Sequence, residues 1–187
     1  MAVEGSSHYR QSVAGCMDGA IGAHGLSDDI LNRYLDRLEP HLDALRSDYA
    51  SGALPLLRIA QERDDVSAAR AALARLSEGA RTIVFFGTGG SSLGGQTLAQ
   101  LAGWNIPGGA DAAQRTRPRT RFYDNLDATT LAAGLASLDL AATRFVVTSK
   151  SGGTAETLAQ AIVALSAVKQ AGLEAQVPGM FLGITEP

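Results

Sequence analysis

Beyond residue 79 the chain alternates between short runs of apolar residues and segments in which apolar residues recur every three or four positions. Such short runs, rich in β-branched and aromatic residues, predict strands, and the wider spacing predicts amphipathic helices. The predicted strands cover residues 82–86, 120–123, 145–148 and 180–185, and the predicted helices cover 93–103, 129–138 and 154–170. Strands that alternate with helices form right-handed crossovers and a parallel sheet covered on both faces. The pattern therefore predicts an α/β fold with a doubly wound parallel sheet flanked by helices.

The residues before this region predict helices without strands. Residues 1–25 show no periodicity and predict an irregular lead-in. Ser27, followed by two aspartates, predicts the start of a helix. Pro40 is expected to kink or end that helix. Further helices are predicted over residues 42–49 and 65–76, the second ending at Gly79.

The two patterns divide the chain into an N-terminal helical extension or cap, residues 1–78, and a sheet-containing domain, residues 79–187. The last predicted strand is followed at once by Glu186 and Pro187, with no helix to cover it. Parallel sheets are normally covered by helices on both faces. We therefore expect the chain to be a truncated piece of a longer protein, incomplete at the C-terminal end of this domain.

Composition and charge exclude several classes of function. Sixteen Lys and Arg stand against 19 Asp and Glu, a formal net charge of −3, whereas a nucleic-acid binder of this size normally has a basic excess. A single cysteine fits a reducing compartment, and the three histidines have no metal-ligand spacing. No apolar run approaches the ~20 residues that span a bilayer, and the amino terminus lacks the pattern of a secretory signal. We expect a cytoplasmic protein without metal, nucleic-acid or membrane partners.

A first glycine-rich turn, residues 87–95, joins a predicted strand to a predicted helix. Glycines let the backbone approach a ligand, and the free N–H groups at a helix start attract anions. A tight turn without a ligand is the alternative. Two nucleotide motifs fail here: Ser92 stands where the dinucleotide fingerprint needs its third glycine, and Gln96 stands where the nucleotide P-loop needs its lysine.

A second turn, residues 148–157, also joins a strand to a helix. It offers the hydroxyls of Ser149, Ser151 and Thr154, the amine of Lys150, and backbone amides freed by two glycines. Several short donors around such amides suit the three acceptor oxygens of a phosphate monoester. Helix capping alone is the alternative for the hydroxyls. Because ligands of parallel sheets bind where the strands end, the two turns together predict a phosphorylated, hydroxyl-rich small molecule.

Both turns resemble signatures of the phosphoglucose isomerase family. Residues 87–94 are similar to the family's Gly-Ile-Gly-Gly-Ser-x-Leu-Gly, and residues 149–157 are similar to its Ser-Lys-[Ser/Thr]-x-Thr-Thr-x-Glu-[Thr/Pro]. Residues 123–127 look like the family's Asn-[Ile/Leu/Val]-Asp strand end. The resemblance covers about residues 80–187 in the family's order. It departs at Gly153, where the family commonly has a threonine.

The resemblance implies the first sugar isomerase (SIS) domain of an enzyme of glycolysis and gluconeogenesis. That enzyme interconverts glucose 6-phosphate and fructose 6-phosphate through a cis-enediol, without a metal or an organic cofactor. The residues implied to bind the phosphate are Ser149, Lys150, Ser151 and Thr154, and those implied to contact the phosphate or the open-chain sugar are Gly90 and Ser91.

The same resemblance implies that the catalytic groups lie outside this chain. The family uses a glutamate to carry a proton between C2 and C1, an arginine to stabilise the enediolate, and a histidine or lysine to open the ring. In the family's order these groups follow Pro187, so we assign no catalytic residue here, and neither Glu156 nor Glu186 is expected to be the base. We expect the chain alone to bind sugar phosphate weakly without turnover, and the longer protein to form a homodimer.

Two other functions stay open at this stage. One is a non-catalytic SIS module that binds phosphosugars; such modules usually lack the Ser-Lys pair, so Lys150 favours the isomerase. The other is a nucleotide-binding α/β domain in which Asp124, at the end of the second strand, binds a ribose. The failed glycine fingerprint counts against this second alternative.

Overall fold

The computed structural model describes residues 11–104 and 116–186. The chain forms two compact units, Met1–Arg63 and Asp64–Pro187. Its helices are α1 (Asp18–Ile21), α2 (Asp28–Ser51), α3 (Asp64–Ser77), α4 (Gly90–Leu101), α5 (Ala128–Ala136), α6 (Ala155–Gln170) and α7 (Val177–Met180). Its strands are β1 (Thr82–Phe86), β2 (Arg119–Tyr123), β3 (Thr143–Thr148) and β4 (Phe181–Ile184). None of the helices within the described ranges has the length and apolar character that a bilayer crossing requires.

The first unit is built on α2, a helix of 24 residues. Ser27 caps its start as predicted, because the Ser27 Oγ accepts a hydrogen bond from the Ile30 N–H at 3.3 Å. The predicted kink or end at Pro40 did not divide the helix, which continues through this residue as one element. Proline removes its own N–H from the ladder and its ring crowds the carbonyl four residues before it, and the helix-forming residues on both sides outweigh these costs. The helix ends instead at Gly52, whose φ of +75° suits a glycine cap.

The lead-in is more regular than predicted over its described part. It contains α1 and the 3₁₀ turns Ala14–Cys16 and Gly22–His24. Met17 and Leu26 form an isolated parallel bridge, and Gly25 packs so closely on the backbone of Asp18 that any side chain there would clash. These contacts join backbone groups, so the pattern of apolar residues along the sequence does not predict them. Residues 1–10 of the predicted lead-in lie outside the described residues.

The second unit contains a parallel four-stranded sheet with the order β2-β1-β3-β4. This confirms the predicted α/β fold with its doubly wound sheet. The central strands β1 and β3 pair in register from Thr82 with Thr143 to Phe86 with Val147. Strand β1 has the predicted bounds, and the other three strands differ from their predicted bounds by one or two residues at their ends, which is within the usual variation of element boundaries.

Helices cover both faces of this sheet. On one face, strands and helices form a buried apolar cluster of Val84, Phe86, Leu131, Leu135, Phe145, Ala164, Val168 and Met180. Each strand adds one aromatic ring to a stack along this face, with centroid distances of 6.2, 5.7 and 4.7 Å from Tyr123 through Phe86 and Phe145 to Phe181. On the other face, Leu76 of α3 packs with Ile83 and Val146. The sheet therefore carries an apolar cluster on each face.

Helix α3 follows its prediction closely and bears on where the sheet domain starts. The helix was predicted over 65–76 and spans Asp64–Ser77, and Gly79 after it has a φ of +66°. The compact unit that contains the sheet begins at Asp64, so α3 belongs to it. The predicted domain limits, residues 1–78 and 79–187, stay a prediction.

Helix α4 begins earlier than predicted. It was expected over 93–103 and spans Gly90–Leu101. Its N-cap Gly89 has a φ of +52°, a conformation that favours glycine. The Leu93 N–H donates to the Gly89 carbonyl at 3.0 Å, so the residues between them already form the first helical turn. Gly95 lies against the ring of Phe122, 3.3 Å from where a Cβ would stand, which brings α4 onto the same face as α3.

Candidate functional site

The two glycine-rich turns follow the two central strands of the sheet. The first joins β1 to α4 and the second joins β3 to α6. Because Phe86 pairs with Val147, the two strands end within one residue of each other. The amino ends of α4 and α6 therefore both lie at the carboxyl edge of the sheet, where parallel sheets bind ligands. The two helices pack on opposite faces, α4 against Phe122 and α6 through Ala164 and Val168.

The first turn is folded tightly on the end of β1. A Cβ on Gly87 would lie 3.1 Å from the carbonyl oxygen and 3.2 Å from the Cβ of Ser91, so only glycine allows this approach without a shift. The Ser91 N–H donates to the Thr88 carbonyl at 3.1 Å. Gly90 and Ser91 are exposed in the first turn of α4, where the helix dipole favours an anion.

Gln96 connects the first turn to the end of β2. Its amide nitrogen donates to the Ser92 Oγ at 2.7 Å and to the Asp124 Oδ2 at 2.9 Å. Ser92 is buried beneath the turn, whereas Asp124 is exposed. The carboxylate that a nucleotide-binding domain would need for a ribose is therefore already hydrogen-bonded to Gln96. Sequence reasoning noted Gln96 only as the residue that replaces a P-loop lysine.

The second turn closes around a pair of hydroxyls. The Oγ of buried Ser149 and the Oγ1 of Thr154 are 2.9 Å apart, and the Thr154 N–H donates to the Ser149 Oγ at 3.4 Å. Gly152, with a φ of +68°, donates its N–H to the Ser149 carbonyl at 3.2 Å. The Gly153 N–H donates to the Ser151 Oγ at 3.2 Å. The turn is therefore organised by its own side chains before any ligand arrives.

The amino end of α6 lies directly after this turn. Thr154 occupies the N-cap position, but within the described residues no side chain caps the helix, because the Thr154 hydroxyl contacts Ser149 instead. The N–H groups of the first turn of a 16-residue helix carry partial positive charge. Three hydroxyls and an uncapped helix terminus thus lie within one turn, a combination that suits the oxygens of an anion.

Lys150 is the cation of the second turn and contacts the residue after β4. Its Nζ lies 3.5 Å from the Oε1 of Glu186, and both side chains are largely exposed. The Lys150 carbonyl accepts hydrogen bonds from the Glu186 N–H at 3.1 Å and from the Thr185 Oγ1 at 3.3 Å. The backbone of Lys150 is thus held in place, while its long side chain stays free to rotate toward another anion.

Gln160 of α6 reaches the end of β2 from the other face of the sheet. It is fully buried, and its Nε2 donates to the carbonyls of Tyr123 and Asn125, both at 3.1 Å. Sequence reasoning missed this residue. The available signal was a glutamine on the face of α6 that also carries Ala161, Ala164 and Val168, where an apolar residue is expected.

Two side-chain hydrogen bonds, one accepted by Asn125 and one by Asp127, fix the segment after β2. Asn125 Oδ1 accepts the Asp127 N–H at 2.8 Å, and Asp127 Oδ1 accepts the Thr130 N–H at 2.7 Å, which caps α5. The hydrogen bonds from Thr130, side-chain contact first and backbone second, lower the pKa of Asp127 from its ordinary value. Asp127 therefore caps α5 in its ionised form.

The predicted site residues fall into three groups by position. Ser149 and Thr154 lie in direct contact, and Ser151 lies in the same turn. Lys150 is next to them but paired with Glu186. Gly90 and Ser91 lie at the amino end of α4, after the neighbouring strand. Their roles in binding a substrate stay predictions.

Residues 72–186 match the family model described as phosphoglucose isomerase. Glucose-6-phosphate isomerase of Treponema pallidum is 40% identical over 103 residues, which are 54% of this chain and 18% of that protein. Glucose-6-phosphate isomerase of Aromatoleum aromaticum is 46% identical over 95 residues, which are 51% of this chain and 16% of that protein. This chain thus spans less than a fifth of the length of these curated relatives.

A solved structure is similar over most of the chain. The crystal structure of a hypothetical protein from Thermus thermophilus superposes with a TM-score of 0.60 and 26% identity, over 83% of this chain and 36% of that one. This likeness supports the fold over more of the chain than the curated relatives cover.

Proposed function

This chain belongs to the phosphoglucose isomerase family, and we propose that it forms the phosphosugar-binding part of a glucose-6-phosphate isomerase. The reaction interconverts glucose 6-phosphate and fructose 6-phosphate through a cis-enediol. The observation that carries the proposal is the second turn, in which the Ser149 and Thr154 hydroxyls meet at 2.9 Å beside the uncapped amino end of α6. Relatives of 40% and 46% identity that bear the isomerase name support it.

The phosphate would lie at the second turn. The Ser151 hydroxyl, and whichever of the Ser149 and Thr154 hydroxyls accepts their mutual hydrogen bond, would donate to its oxygens, and the N–H groups of the first turn of α6 would add partial positive charge. Lys150 would contribute a full charge after leaving Glu186. Gly153 offers only its backbone at the position where the family commonly has a hydroxyl, so the other hydroxyls carry more of the binding.

The sugar would extend from the second turn toward the first. Gly90 and Ser91 are exposed at the amino end of α4, which follows the neighbouring strand. A backbone without a Cβ at Gly90 allows close approach, and the Ser91 hydroxyl can donate to or accept from a sugar hydroxyl. In this proposal a hexose phosphate contacts both turns, whereas orthophosphate contacts only the second.

Proton transfer would come from groups that this chain does not supply. Glu156 is exposed in the first turn of α6, within the phosphate-binding signature, and Glu186 pairs with Lys150. Neither carboxylate lies beside a second group that would bind an enediol and so keep its carbon within reach of the carboxylate. We therefore assign the base, the ring-opening acid and the enediolate-stabilising cation to parts of the relatives that this chain does not cover.

The wider setting follows from the same proposal. Proton transfer through a cis-enediol needs only a positioned acid and base, so the proposal includes no metal and no organic cofactor. We propose a cytoplasmic protein of glycolysis and gluconeogenesis, with a SIS-type domain, a sugar phosphate as its ligand, and a homodimer as its assembly.

Calorimetric titration of the 187-residue chain tests the proposal. Glucose 6-phosphate and fructose 6-phosphate should bind, whereas glucose, NAD and ATP should not, and a coupled assay should detect no turnover. Lys150→Met should weaken fructose 6-phosphate binding by about tenfold, because it removes a charge-assisted hydrogen bond. The matched control is Lys169→Met, since Lys169 pairs with Glu174 far along α6. Equal affinity for NAD or ATP, or robust turnover, would contradict the proposal.

A further inference from the structure

Gln96 and Gln160 connect the helices of the two turns to one short segment at the end of β2, residues 123–125. Gln96, on α4, donates to the Asp124 carboxylate at 2.9 Å. Gln160, on α6, donates to the Tyr123 and Asn125 carbonyls at 3.1 Å. Because α4 and α6 pack on opposite faces of the sheet, the segment is held from both faces at once.

The position of each glutamine relative to its turn is similar. Gln96 lies six residues after Gly90, where α4 starts, and Gln160 lies five residues after Ala155, where α6 starts. Each is therefore in the second turn of its helix, one turn below the N–H groups that face the site. A hydrogen bond from the second helical turn to residues 123–125 fixes the direction of the helix and the distance of its amino end from the sheet.

The hydrogen-bonding pattern exceeds what packing alone requires. An amide nitrogen has two hydrogens, and each glutamine uses both: Gln96 on Ser92 and Asp124, Gln160 on Tyr123 and Asn125. Gln160 is fully buried, where an apolar side chain would pack well but would leave two carbonyls without this donor. A glutamine at that position is explained by the contact to residues 123–125.

We propose that Gln96 and Gln160 are positioning residues that set the spacing between the two turns by anchoring both helices on residues 123–125. The inference rests on the proposed function, in which a sugar phosphate contacts both turns while orthophosphate contacts only the second. Binding across both turns is favoured when their spacing is fixed in advance, because no ordering cost remains to be met on binding. Loosening an anchor should therefore weaken the larger ligand selectively.

The first test compares two ligands on the 187-residue chain. Gln96→Met and Asp124→Leu each remove the anchor on α4, and each should weaken fructose 6-phosphate about tenfold while orthophosphate changes less than about twofold. Asp124→Asn keeps an acceptor oxygen and should preserve the wild-type affinities. Gln100→Met, on the exposed side of the same helix, is the matched control. Equal loss for both ligands, or no loss for either, overturns the proposal.

The second test needs no ligand and separates this inference from the proposed function. Gln96→Met should speed amide hydrogen exchange of Ser92 and Leu93 in the first turn, and Gln160→Met should speed that of Gly152 and Thr154 in the second, each by about threefold or more and with little change in the other turn. Unchanged exchange in the turn of the mutated helix overturns the proposal. If the wild-type chain binds neither hexose phosphate, the proposed function fails and the exchange result still decides the positioning role. Gln96 is only half-buried, so its variant decides the case if Gln160→Met does not fold.

Discussion

At the scale of single residues, the charge of Lys150 has a competitor for any phosphate. Its Nζ lies 3.5 Å from the Glu186 carboxylate, with exposed fractions of 81% and 63% for the two side chains. An exposed pair of this kind is weak, so it breaks easily. The carboxylate nevertheless adds a negative charge beside the turn in which we place the phosphate. Glu186 therefore opposes anion binding, both by occupying Lys150 and by repulsion.

Replacing Glu186 should for that reason strengthen anion binding. Glu186→Gln keeps the size of the side chain and its backbone contact to Lys150, and it should raise the affinity for orthophosphate by about two- to fivefold at low salt. Titration followed by NMR shifts of the Gly152 and Thr154 amides measures the change. Glu174→Gln, which removes the partner of Lys169, is the control for a loss of one negative charge elsewhere. A weaker affinity in Glu186→Gln would contradict the proposed role of Lys150.

At the scale of elements, α5 depends on the ionised cap Asp127. Its pKa is lowered by the hydrogen bonds from Thr130, so the folded state favours the carboxylate more than the unfolded state does. The contribution to stability is therefore present at neutral pH and is lost as the pH falls below about 4 through the lowered pKa. Asp127→Asn keeps a capping oxygen without the charge.

The lowered pKa of Asp127 predicts how the stability of its variants changes with pH. In urea unfolding, Asp127→Asn should be nearly as stable as the wild type at about pH 7, and its stability should fall less than that of the wild type between about pH 5 and pH 3. Asp127→Ala should be less stable at both pH values, since it lacks any capping oxygen. Parallel pH profiles for wild type and Asp127→Asn would show that folding does not lower the pKa of Asp127.

The elements also show what could be predicted from the sequence. The strands and the main helices were predictable because β1, β3 and α6 bury apolar residues in regular patterns. The start of α4 was not, because it depends on the backbone conformation of Gly89, which composition does not reveal. The continuation of α2 through Pro40 was not predictable either. Whether a helix continues through a proline depends on how strongly the surrounding residues stabilise the helix.

In the candidate site, too, local contacts could be predicted from the sequence and contacts between distant residues could not. Ser149 and Thr154 lie five residues apart in one turn, so their meeting could be predicted from the motif. The roles of Gln96 and Gln160 could not, because their partners lie 28 and 37 residues away, at the end of another strand. Such contacts depend on the strand order β2-β1-β3-β4, which periodicity does not supply. Long-range polar contacts are thus where sequence reasoning fell short.

At the scale of the whole molecule, the question is whether α3 is part of the unit that contains the sheet. Leu76 of α3 is only 6% exposed and packs with Ile83 of β1 and Val146 of β3. The Glu78 carbonyl after it accepts a hydrogen bond from the Arg144 Nη2 at 2.9 Å. These contacts cover the central strands on the face opposite the aromatic stack. A sheet unit that began at residue 79 would leave them exposed.

A comparison of two fragments tests this. The fragment 64–187 should unfold cooperatively in urea, and the fragment 79–187 should be less stable by at least about 2 kcal/mol, because it loses the burial of Leu76. Trp104, the one tryptophan of the chain, lies in both fragments and reports the transition by fluorescence. Leu76→Ala in the 187-residue chain should destabilise the same transition, whereas Leu73→Ala, at an exposed position of α3, should not. Equal stability of the two fragments would instead support the predicted domain limit at residue 79, with α3 belonging to the helical extension.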